Sequence, residues 1–125
     1  MAIIQLVARI LLSFIFIAAA PRHFTAEAIA HAAELGVPLA RIAVPLSGVL
    51  AIVGGASVLA GFHARWGAVV LIAFLVPVTL GMHAFWRLSD PAAVHVQQAM
   101  FVKNVAILGG LLYVALHGAG AIALT

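Results

Sequence analysis

The chain has 125 residues, 66% of them hydrophobic and 7% charged, with no cysteine, six Lys/Arg against three Asp/Glu and a mean hydropathy of +1.28. Soluble domains run about 45–50% apolar and about 25% charged, so a water-soluble globule is excluded, as is intrinsic disorder, which needs low hydrophobicity and high net charge. Lack of cysteine excludes disulfides and thiolate metal sites, and the basic residues stand singly without interleaved aromatics, so no nucleic-acid partner is expected.

Four apolar stretches are long enough to cross a hydrocarbon core about 30 Å thick, which takes roughly 20 helical residues at about 1.5 Å each. The first covers about residues 2–20. Its Ala18-Ala19-Ala20 end resembles a cleavage site, but no basic region precedes it, Arg9 interrupts it and Pro21 follows, so a retained helix is expected. The connection from Pro21 to Pro38 holds a cap at Thr25, an acid at Glu27 and a stop at Gly36, the pattern of a short interfacial helix. The second span covers about residues 39–61, with small residues at Ser47, Ala51 and Gly55 and an internal Pro45. The third, about 64–86, carries Trp66 and Trp86 about one core thickness apart, flanked by Arg65 and Arg87. The fourth, about 97–117, follows a helix start at Asp90-Pro91 whose first turns stand at headgroup level, and Gly118 and Gly120 end it. The expected fold is all-α: one domain, residues 1–125, forming a transmembrane four-helix bundle with a short interfacial helix between helices one and two.

Four antiparallel passes also assign depth. One face collects Arg22, His23, Glu27, Arg41, His83, Trp86, Arg87, Asp90, Lys103 and Asn104; the other holds His63, Arg65, Trp66 and His117. Charged groups inside a span are costly and by default mark function. Arg22, His23, His83, Trp86, Lys103 and Asn104 are the candidate ligand-binding residues, with Arg9, Asp90 and Arg41 secondary. Structural roles compete at each: Arg9 and Lys103 can snorkel, and Asn104 can bond across helices. No catalytic residue is assigned, because no nucleophile motif occurs, and no metal is expected without an HExxH pair or cysteines. Haem between His23 and His83 is not expected on depth alone. A quinone suits the set better: His, Lys and Asn donate to carbonyls and Trp offers a flat wall, with the redox chemistry supplied by the cofactor.

The segments RILLSFIFIAAAPRHFTAEAI, LGVPLARIAVPLSGVLAIVGGASVLAGFHARWGA, FLVPVTLGMHAFW and MFVKNVAILGGLL, in this order, resemble the DoxX family of small four-helix membrane proteins. Ala84 departs from the polar residue, often Asn, of that pattern, and Ala20 from its glycine. The resemblance implies a multi-pass protein of the bacterial inner membrane. It also implies one of two roles: a quinone-linked oxidoreductase subunit, as in thiosulfate:quinone oxidoreductase, or a non-catalytic assembly partner. Three functions are carried forward: a redox-linked subunit binding a quinone or similar lipophilic ligand at one membrane face, a membrane scaffold, and a small transporter or proton pathway. The expected partners are the lipid bilayer and either a redox enzyme or further copies of the chain.

Overall fold

The computed structural model describes residues 1–124. Helix α1 (Ala2–Ala19) runs into a 3-10 turn (Ala20–Phe24), followed by α2 (Ala26–Glu34), α3 (Ala40–Ala60) and α4 (Ala64–Met82). A second 3-10 turn (Phe85–Arg87) leads to α5 (Pro91–His117). Among the described residues, four segments are long and apolar enough to cross a membrane: Ala2–Phe24, Ala40–Ala60, Ala64–Arg87 and Pro91–His117. The molecule is therefore an all-α transmembrane four-helix bundle, with α2 between the first and second spans.

Contacts fix the directions. Arg9 of α1 reaches the end of α3, while His23 reaches Ser47 near its start. Asn104 of α5 meets Thr79 of α4, and His83 meets Gln97. Neighbours are thus antiparallel and stand in the order α1, α3, α4, α5, with few contacts closing α5 back onto α1. The core is small: Phe16, Ala51, Val58, Ala68, Leu71 and Leu111 lie at its centre. Outward faces are apolar, with Leu11, Phe14, Ile42 and Leu116 each well exposed, as lipid requires.

Lipid is as apolar as leucine, so helices in a membrane associate by close packing and interhelical hydrogen bonds. Glycine provides the approach here. A Cβ on Gly54 of α3 would stand 2.8 Å from Leu71 and 3.1 Å from the Gly67 carbonyl of α4, and one on Gly67 would collide with Ser57. In the expected small-residue row on α3, Ala51 is buried and a Cβ on Gly55 would lie 2.9 Å from Ile17 of α1.

Local chemistry sets the helix ends. Thr25 Oγ1 accepts from the Ala28 N–H at 3.2 Å and starts α2. Its end is a Schellman motif: Gly36 (φ 87°) lets the Val37 N–H reach the Ala32 carbonyl and its own N–H reach that of Ala33. The Asp90 carboxylate accepts from the Ala93 N–H at 3.2 Å and starts α5, with Pro91 in its first turn. Helix α4 stops at Met82, so Trp86 lies in the following 3-10 turn. There Phe85 and Trp86 pack edge-on against Phe101 of α5, at ring-centre distances of 5.5 and 5.7 Å.

Candidate functional site

The polar residues of the crowded face meet their neighbours pairwise. His23 Nδ1 lies 2.8 Å from Ser47 Oγ, whose hydroxyl donates to the Val44 carbonyl. The His23 ring tilts against Phe74, 5.5 Å away, and Phe74 in turn meets Phe16 edge-on at 5.9 Å. His83 Nδ1 lies 2.7 Å from Gln97 Oε1, joining the end of α4 to the second turn of α5.

Asn104 is buried and its amide donates to Thr79 Oγ1 at 3.0 Å, while that hydroxyl donates to the Leu75 carbonyl. Adjacent Lys103 points outward, with its ammonium near only the Met100 sulfur at 3.6 Å. One helical step, about 100°, separates the fates of the two residues. Arg22, Arg41, Trp86 and Asp90 are exposed; Asp90 is engaged as a helix cap. Three of the six candidate ligand-binding residues therefore make separate hydrogen-bonded contacts between elements, Trp86 is exposed but packs edge-on against Phe101, and Arg22 and Lys103 face outward. Among the described residues, every buried side-chain nitrogen or oxygen has a hydrogen-bond partner.

Arg9 sits at the opposite end and is 4% exposed. The last carbonyls of a helix have no partner within it, and in lipid each must find one. At the end of α3, Gly61 (φ 74°) allows the Phe62 N–H to bond Ser57 and its own N–H to bond Val58. Arg9 Nε adds a bond to Val58 at 3.0 Å, and a terminal nitrogen takes Leu59 at 3.1 Å. The Leu124 N–H takes Ala60 at 3.1 Å, so all four final carbonyls are satisfied. The other terminal nitrogen of Arg9 donates to Ala119 at 2.7 Å and Ile122 at 2.5 Å. Arg9 is thus a clamp between the first helix, the α3 terminus and the segment after α5.

Sequence reasoning did not single out two cavities. One, about 710 Å³, lies between α2 and the start of α3, with Ile29, Ala33, Val37 and Ile42 as walls and Arg41 in its lining. The other, about 440 Å³, lies at the α3–α4 turn against the end of α5. Only the composition of the second, with His63, Arg65 and His117 at one end of the bundle, was visible beforehand.

Comparison with known proteins matches the SURF4 family over residues 1–125. The chain is also 31% identical to the inner membrane protein YphA of Escherichia coli (strain K12) over 94 residues, covering 75% of this chain and 66% of that protein. The alignment thus spans slightly under two thirds of the relative. No solved structure matches the chain. The resemblance to the DoxX family is overturned by the full-length SURF4 match, and the family-level argument for a quinone-linked subunit goes with it. The strings that suggested it are dominated by apolar and small residues, features that packing imposes on many membrane bundles. The chain belongs to the SURF4 family and is an integral, multi-pass protein of the inner membrane.

Proposed function

We propose that the protein is a non-catalytic membrane scaffold that holds another membrane protein against its α5 face. The observation that carries this reading is the full pairing of its buried polar groups. A ligand-binding or catalytic centre ordinarily keeps polar groups aimed into open space, whereas His23, His83 and Asn104 are engaged with Ser47, Gln97 and Thr79.

Helix α5 supports the reading from outside, since only Asn104, Leu111 and Val114 are buried along it. Ala106 and Gly109 are exposed, and a Cβ on Gly109 would meet nothing within 4 Å. Glycine in an exposed helix interior costs about 1 kcal/mol relative to alanine. Here no approach within the chain offsets that cost, in contrast to Gly54. A transmembrane helix of another protein laid on α5 supplies the approach. A photo-crosslinker at Ala106 should give one discrete protein adduct in native membranes, lost in Gly109→Leu. Crosslinks to lipid alone would overturn the proposal.

The groove beneath α2 favours a second reading, a lipophilic ligand such as a quinone. Its volume lies within the range of small-molecule sites, about 300–1,000 Å³, and Arg41 offers donors to a carbonyl oxygen. Under this reading, quinone co-purifies at about one per chain and is lost in Arg41→Ala. A quinone-free lipid extract from the purified wild-type protein would dismiss it.

A further inference from the structure

The cavity at the other end of the bundle contrasts with the paired interior. His63, Arg65 and Trp66 from the α3–α4 turn face His117 and the backbone of Gly118–Gly120 across about 440 Å³. Among the described residues, no group accepts a hydrogen bond from the Arg65 guanidinium, and no side chain caps the first turn of α4. The His63 ring is stacked edge-on against Phe62 and the His117 ring lies against Tyr113, each at 4.4 Å, so both are positioned by apolar contact. The three acids of the chain, Glu27, Glu34 and Asp90, lie at the far end, on α2 and at the start of α5. No acidic side chain thus offsets Arg65.

Backbone geometry is unusual at the same place. His63 adopts φ 49°, a conformation that costs a side-chain-bearing residue about 1 kcal/mol, and Gly118 and Gly120 adopt φ 77° and 89°. Trp66 is 71% exposed beside Arg65, which sets the cavity at the level where tryptophan prefers to sit, among the lipid headgroups.

We propose that this cavity binds a phosphate oxyanion carried by an anionic phospholipid headgroup. Arg65 takes two oxygens side by side, the imidazoles of His63 and His117 donate from either side, and the first-turn amides of α4 face the same charge. Trp66 rests against the glycerol and upper acyl region.

The test is native mass spectrometry of the purified full chain, released from nanodiscs holding equal amounts of phosphatidylglycerol and phosphatidylcholine. Wild type should retain phosphatidylglycerol over phosphatidylcholine by about fivefold, the factor one interfacial arginine gives. Arg65→Gln should bring the ratio close to one and His117→Gln should lower it. Arg65 and His117 are exposed, and an unchanged elution volume confirms that both variants fold. Inorganic phosphate alone is the second arm. If it displaces the lipid and shifts Trp66 emission in a Trp86→Phe background, it supports the oxyanion site with a soluble source; no effect supports the headgroup. Equal retention of both lipids by wild type, or a ratio unmoved by both Arg65→Gln and His117→Gln, overturns the proposal.

Discussion

Arg9 gathers Val58, Leu59, Ala119 and Ile122 with one guanidinium. Removing a buried group of this kind strands its acceptors, and hydrogen bonds to a charge contribute about 1.5–3 kcal/mol each. Arg9→Leu should therefore destabilise the protein by about 3 kcal/mol or more, read as a lowered midpoint in a denaturing-detergent titration. Arg9→Lys should rescue little, because a single ammonium cannot span four carbonyls. A midpoint equal to wild type in Arg9→Leu would show that the clamp is idle. The clamp was only half visible beforehand. An arginine inside a span is conspicuous, but its acceptors are backbone carbonyls 49 to 113 residues away. Every residue carries such a carbonyl, so no side-chain pattern marks them.

The pair Asn104–Thr79 is smaller in effect. Interhelical hydrogen bonds in membranes couple by about 0.6 kcal/mol on average. A double-mutant cycle of Asn104→Leu and Thr79→Val should return a coupling of that order, and purely additive effects would refute the bond. The depth of Asn104, His23 and His83 was legible from the antiparallel passes. Their orientation about the helix axis was not, because a depth estimate says nothing of rotation. Lys103 and Asn104 have nearly equal depth, and one lies outside while the other lies inside.

Among the elements, α2 depends on its ends. It is nine residues long, too short to persist by propensity alone. Loss of a threonine cap costs about 1 kcal/mol, so Thr25→Ala should raise amide exchange throughout α2 while leaving α3 and α4 protected. Unchanged exchange would mean that packing on α3 holds α2 without the cap. Caps were legible at Thr25, Gly36 and Asp90 because their chemistry is local. The end of α4 was not: the mainly apolar pattern runs on past Met82 to Trp86, and the contacts made after the break, His83 with Gln97 and Trp86 with Phe101 of α5, are distant in sequence.

For the molecule as a whole, two ends of unlike character follow from the alternating helices. Phe62 lies in the α3–α4 turn and Ser89 in the connection to α5, both exposed and at opposite ends. The chain has no native cysteine, so Phe62→Cys and Ser89→Cys give clean single-site reporters. An impermeant thiol reagent should label one in intact spheroplasts and the other in inverted vesicles. Labelling of both from one side would contradict a four-pass arrangement. The seam between α1 and α5 is the least contacted edge of the bundle, and Leu12 lies beside Gly110 across it.

The clamp also has a temporal side. Residues Ala119 and Ile122 are synthesised 110 and 113 positions after Arg9. When α1 enters the bilayer the ribosome has not yet made those acceptors. A nascent intermediate therefore holds a cation with part of its coordination missing, the kind of defect that membrane proteases and insertases detect. Shortening the chain after Gly118 should leave a product that inserts but is turned over quickly, measurable as a reduced half-life in a pulse-chase experiment.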